Sequence, residues 1–377
     1  MYEWHDELGG VMTDHSDDRR SGAAEIRLER DGALAIAILE RPDRLNAISG
    51  TMRTAISGWF PPLARDPSVY AVMMQSALSD VFSVGGDVRE LVDRAGTDVS
   101  AARVALAEEL RLCWLLECFS KPTVSFINGK VMGTGVGISL YGTHRIAGDG
   151  YRFSMPETAI GYFPDCGVAH AFARMPHAIG LYLGLTGASV GPADALALGL
   201  VTHCMPVAEQ PAVRARLADA DPVDPVLDER HRPPGEGPIM AAAARIEHYF
   251  DAPFLSDIVL RLEKPRSEDR DWASRTLNVI RSRSPLASSL TFRAIVSAAD
   301  LDIRETLLQD FRLAWRLAEE PDFLDGARAV LIEKRKPQWR HAQIADVPQG
   351  LVDDYFAPLG LDELRLPTRS EMQALRS

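Results

Sequence analysis

Apolar and polar positions alternate between two periods along the chain. Residues 26–28 and 34–39 are short apolar runs around the turn signal Arg30-Asp31-Gly32, and they predict a pair of strands. Pro42 in the following ERPDRLNAIS stops the second strand, and Ser49 or Asn46 can cap a helix running to about Ala64. Residues 69–75 and 123–127 are near-continuous apolar runs, the mark of strands buried on both faces. Between them, residues 100–119 place Val104, Leu106, Leu110, Cys113, Trp114 and Leu116 on one helical face. Later, residues 180–187 and 193–198 read as helices and 201–204 as a closing strand. Residues 206–238 are rich in Pro, Asp and charge, which predicts a variable connection holding one short helix. From about Ile239 onward the spacing is helical, with segments near 240–250, 254–263, 268–282, 286–299, 303–319 and 322–334. Ser284-Pro285 marks one helix start. Strand-length runs interleaved with helices make this an α/β chain.

Composition narrows the classes. The 377 residues are 46% hydrophobic and 25% charged, ordinary for a globular protein. A net charge of -12 argues against nucleic-acid binding, which needs a basic footprint, and no apolar run reaches membrane-span length. Cys113, Cys118, Cys166 and Cys204 have neither CxxC nor zinc-type spacing and read as free thiols of a reducing, cytoplasmic compartment. Residues 1–22 are polar and acidic without a signal-peptide core and read as a disordered tail.

The chemistry concentrates in residues 154–167, SMPETAIGYFPDCG. Pro156, Gly161, Pro164 and Gly167 forbid a regular helix and predict a shaped loop. Glu157 and Asp165 lie there among Met, Ile, Tyr and Phe, where an ionised carboxylate is costly without a partner. Structural caps and catalytic acids are both open readings of the pair. In FSVGGDVREL, Gly85 and Gly86 free the backbone, so a loop amide can face an anion, and Asp87 can cap the next helix. In NGKVMGTGVGISLYG the amides at Gly133, Thr134 and Gly135 start a helix and can polarise an oxygen. The spacing Gly133-x-Gly135-x-Gly137 is not the dinucleotide fingerprint. Glu108 and Glu109, inside a helix, read as solvent-facing; His144 and His203 read as structural. Arg41 and Arg44 read as surface residues.

Taken in order, RPDRLNA, FSVGGDVREL, KPTVSFINGKVMGTGVGISL and MPETAIGYFPDCGVAHAFARMP, followed by GLYLGLTG, resemble the crotonase (enoyl-CoA hydratase/isomerase) superfamily. MPETAIGYFPDCG, the Asp310-Phe311-Arg312-Leu313 segment and DFLDGARAVLIEKRKPQW resemble its 3-hydroxyisobutyryl-CoA hydrolase branch most closely. The resemblance implies a core of repeated β-β-α units over residues 23–205, a linker at 206–238 and a C-terminal helical region at 239–377. It implies an oxyanion hole of the Val84 and Thr134 amides, with Gly85, Gly86, Gly133 and Glu109 in substrate contact. Thr134 stands where the family usually has Gly.

Glu157 and Asp165 match the acids of the hydrolase branch, whereas Gly137 occupies the place of the first hydratase Glu. Arg44 and Arg89 are candidates for the coenzyme A phosphates. The implied activity is hydrolysis of a short β-hydroxyacyl-CoA, within valine breakdown, with coenzyme A as part of the substrate and no further cofactor or metal. A hydratase or isomerase using Glu157 alone, or a non-catalytic acyl-CoA-binding homologue, is the alternative. Neither nucleic acid nor membrane is an expected partner, and a homo-oligomer is one option for assembly.

Overall fold

A computed structural model describes residues 25–374. The tail expected at residues 1–22 lies outside them. β1 (Ile26–Asp31) and β2 (Leu34–Leu39) pair antiparallel, Ile26 opposite Leu39. β3 (Ala71–Ser76), β5 (Thr123–Ile127), β7 (His144–Ala147) and β9 (His203–Cys204) add in parallel, in the order β1-β2-β3-β5-β7-β9. β4 (Val81–Ser83), β6 (Lys130–Met132) and β8 (Arg152–Ser154) form a smaller parallel sheet. After the β1-β2 hairpin, the pairs β3/β4, β5/β6 and β7/β8 each send one strand to each sheet, which is the repeated arrangement expected.

β2 explains the two-sided burial of the large sheet. Ala35, Ala37 and Leu39 pack with Met52, Ile56 and Phe60 of α1 (Gly50–Arg65). Ser49 caps α1, its hydroxyl accepting the Met52 amide at 3.2 Å. On the opposite face, Leu34, Ile36 and Ile38 pack with Val213, Leu217, Val226 and Leu227. Those four residues correct the linker expected at 206–238. The segment holds two helices, and the hydrophobic effect pins both under the sheet.

α2 (Val88–Thr97) and α3 (Val99–Glu117) follow β4, and the short α4 (Thr134–Gly137) follows β6. The expected α3 face is correct except at Val104, which is 56% exposed. The C-terminal helices do not form a separate body. Leu290 of α5 (Pro285–Ser297), Leu313 and Leu317 of α6 (Ile303–Leu317) and Phe323 of α7 (Pro321–Ala327) share one apolar cluster with Leu106 of α3 and with Tyr162 and Phe163. That cluster fixes the loop holding Glu157 and Asp165. Among the described residues no helix is long and apolar enough to cross a membrane.

Candidate active site

Two glycine-rich turns supply free backbone donors. After β4, the Ile48 amide donates to the Gly85 carbonyl at 2.8 Å and the Asp87 amide donates to the Ile48 carbonyl at 3.1 Å. This single parallel bridge turns the amide of Gly86 away from Ile48. No acceptor among the described residues takes the Gly86 N–H. The Val84 amide is committed: it donates to the Leu45 carbonyl at 3.3 Å. Of the two amides, the one expected to face an oxygen, at Val84, is engaged, and the one left free is that of Gly86. Gly85 donates to Ser83 Oγ at 3.2 Å and holds a φ of 105°, which suits glycine alone.

Opposite, Thr134 is the first residue of α4, so its N–H has no intrahelical acceptor. The turns approach closely at Gly133. A Cβ there would stand 3.2 Å from Gly85 Cα and 3.3 Å from Glu157 Oε1. The glycine lets the two amide-bearing strands of backbone meet over the Glu157 carboxylate.

Glu157 begins a 3-10 turn, Glu157–Ile160, after Pro156. It is 9% exposed, and its Oε2 has no hydrogen-bond partner. Burial pushes its carboxyl up to about 8. Asp165 is also buried, and burial together with the negative neighbours Glu109, Glu157 and Asp310 holds it well above the usual carboxylate range. Asp310 of α6 accepts the Gly167 amide at 2.6 Å. Burial raises Asp310 to about 8.

Glu109 corrects the solvent-facing reading of its helix. Glu108 faces solvent, but Glu109 is 8% exposed and points inward. Its Oε1 accepts the Thr134 hydroxyl at 2.8 Å and the Cys166 thiol at 3.4 Å. Its Oε2 lies 3.7 Å from Arg53 Nη1.

These groups line a cavity of about 500 Å³, a size suited to a small ligand. Glu109, Glu157, Asp165 and Tyr162 form its buried part with Phe323 from the C-terminal region, and the half-buried Leu331 also lines it. The exposed Arg44, Arg89 and Lys334 line its mouth. Arg89 donates to the Leu331 carbonyl at 2.9 Å. Glu109, Asp165 and Cys166 bring metal-ligand atom types within 4.8 Å of one another. His144 and His203 lie outside the cavity, facing Asp224 at 3.0 Å and Asp228 at 3.2 Å.

Sequence reasoning passed over Arg53, Tyr162, Asp310 and Lys334. Arg53 was traceable, because it shares helical spacing with Ile56 and Phe60, an odd place for a cation. Lys334 gives no local signal.

The alternating β-β-α units and the amide-lined, acid-bearing cavity between them define a crotonase-type protein. The chain belongs to the enoyl-CoA hydratase/isomerase family, whose sequence model, described as Enoyl-CoA hydratase/isomerase, matches residues 34–356. It is 31% identical over 370 residues to 3-hydroxyisobutyryl-CoA hydrolase 1 of Arabidopsis thaliana, covering 93% of this chain and 97% of that protein. It is 31% identical to the mitochondrial 3-hydroxyisobutyryl-CoA hydrolase of Gallus gallus, with 91% of each covered. Among solved structures, a carnitinyl-CoA dehydratase from Mycobacterium thermoresistibile superposes with a TM-score of 0.86 at 30% identity, covering 91% of this chain and 99% of that one.

Proposed function

We propose that this protein hydrolyses the thioester of a short β-hydroxyacyl-CoA, with 3-hydroxyisobutyryl-CoA the first candidate, giving the hydroxy acid and free coenzyme A. Such a substrate belongs to valine breakdown. The names of the hydrolase relatives support the reading, and the observation that carries it is at Gly137. A Cβ there would stand 2.8 Å from Cys166 Sγ and 3.0 Å from Cys113 Sγ. No side chain fits, so the two-glutamate route for adding water across a double bond lacks one acid.

The thioester oxygen sits between the Gly86 and Thr134 amides, which hold the charge that builds on it. Ionised Glu157 either attacks the carbonyl carbon or takes a proton from water that attacks. In the first case the C–S bond breaks to leave a mixed anhydride. Protonated Asp165 supplies the proton that the leaving thiolate accepts. Water then opens the anhydride, one of its protons returns to Asp165, and Glu157 is regenerated. Both routes need only water as second reactant, so we assign no resident cofactor. Gly85 and Gly133 shape the amide turns, and Arg44 and Arg89 bind the coenzyme A phosphates through guanidinium forks.

The cytoplasmic placement is part of this proposal, supported by the four free thiols, all buried. Fractionation of the source cells tests it.

The decisive assay measures free-thiol release from 3-hydroxyisobutyryl-, 3-hydroxypropionyl-, crotonyl- and acetyl-CoA. Fast release from the hydroxy compounds alone is expected, and it should be lost in Glu157→Gln. Loss of crotonyl absorbance without thiol release would turn the reading to a hydratase.

A further inference from the structure

Glu109 has two unlike oxygens. Oε1 is occupied by the Thr134 hydroxyl at 2.8 Å and the Cys166 thiol at 3.4 Å. Oε2 accepts no hydrogen bond among the described residues; its nearest cation, Arg53 Nη1, is 3.7 Å away. That oxygen also borders the amide turn, standing 3.6 Å from where a Cβ on Gly86 would be. An acyl chain whose carbonyl sits on the Gly86 amide passes this oxygen.

Four carboxyls are buried in this region, those of Glu109, Glu157 and Asp165 lining the cavity and that of Asp310 behind them. Glu109 alone among these four has both a guanidinium neighbour and a side-chain hydroxyl donor. Arg53 is itself 7% exposed, and its Nε is buried without a partner, so little water competes for its charge. The Thr134 hydroxyl sets the rotation of the carboxylate. It leaves Oε2, not Oε1, toward the acyl path.

We propose that Arg53 and Thr134 are positioning residues which hold the Glu109 carboxyl in one orientation with one open oxygen, and that this oxygen selects acyl chains carrying a hydroxyl donor. The inference deepens the hydrolase reading by naming what distinguishes its substrates. An acyl group without a hydroxyl leaves Oε2 desolvated and unpaired, which penalises binding more than a hydroxyl rewards it. The hydroxyl that donates to Oε2 replaces the water lost on entry.

The test uses two ketone analogues that cannot be hydrolysed, because a methylene separates sulfur from carbonyl: the 4-hydroxy-2-oxobutyl and 2-oxobutyl thioethers of coenzyme A. Calorimetric titration gives their affinity ratio in wild type, Thr134→Val, Thr134→Ser and Arg53→Met. Wild type should favour the hydroxylated analogue by about tenfold or more. Thr134→Ser, which keeps the hydroxyl, should retain that ratio. Thr134→Val and Arg53→Met should bring it close to one while binding of the 2-oxobutyl compound persists. Equal affinities in wild type overturn the proposal, and so does an unchanged ratio in either loss variant. Should Thr134→Val fail to fold, Arg53→Met decides. Because no bond is cleaved, a failed thiol-release assay with the ratios intact would remove the hydrolase reading and leave this selection standing.

Discussion

Asp310 and Gly167, 143 residues apart, are joined by a 2.6 Å hydrogen bond in which a buried carboxylate accepts the loop amide. Gly167 follows Asp165 by two residues and sits at φ 74°, so the bond anchors the end of the loop that carries the acid. The partner oxygen, Asp310 Oδ1, has no hydrogen bond.

Asp310→Ala leaves the Gly167 amide buried and unpaired. It should destabilise the protein by about 1–3 kcal/mol in urea titration and lower kcat. Asp310→Asn keeps an acceptor and loses the carboxyl. Stability at pH 7 close to wild type in the Ala variant would remove the anchoring role.

The pH response follows from Glu157. Its folded-state value, about 8, lies above the usual glutamate value, so the native state holds its proton more tightly than the unfolded chain. The stabilising contribution is full below the ordinary carboxylate range and is lost as pH rises through 8, at about 1.4 kcal/mol per unit. Activity runs the other way, because base or nucleophile must be ionised. The rate constant kcat/KM should climb roughly tenfold per pH unit up to about 8. Glu157→Gln should flatten both dependences, be more stable than wild type at pH 9, and lose about 10²–10⁴-fold in kcat. A kcat/KM profile already flat above pH 6 contradicts the assignment.

Gly137 separates the two reactions. Gly137→Ala should cost about 1–3 kcal/mol by overpacking against the Cys113 and Cys166 sulfurs, read as a lower melting temperature. Gly137→Glu should not restore hydration of crotonyl-CoA, because the added carboxylate cannot enter. Hydratase activity in that variant would show that space opens.

At the mouth, Arg44→Ala and Arg89→Ala should raise KM for acyl-CoA several-fold with kcat nearly unchanged, since a phosphate contact is kept through the reaction. The same variants should not change KM for a pantetheine thioester lacking the nucleotide. Raising salt should narrow the difference between wild type and variants.

The local patterns were readable where one residue's neighbours decide its state. β2 and α1 follow from continuous apolar runs and the Ser49 cap. The loop over 154–167 follows from its prolines and glycines, and the resemblance located Glu157, Asp165 and Thr134. What escaped depends on distant chain. The free amide belongs to Gly86 and not Val84 because a bridge to Ile48 sets which way the turn faces. Glu109 shares helical spacing with Ala105 and Cys113, but a charge on a helix is ordinarily solvated, so the resemblance and not the spacing marked it. Only Thr134 and Arg53 explain why it turns inward. The linker differs from expectation because its proline and charge content masks two helices whose valines and leucines face the sheet.

The packing of α6 and α7 over the Glu157 loop also orders events during synthesis. A ribosome delivers both acids well before it delivers Asp310 and Phe323. Until those residues emerge, water reaches the loop and Glu157 titrates as an ordinary glutamate. The burial that raises Glu157 is completed only when the last helices dock, so a chain clipped before them should lose the raised value.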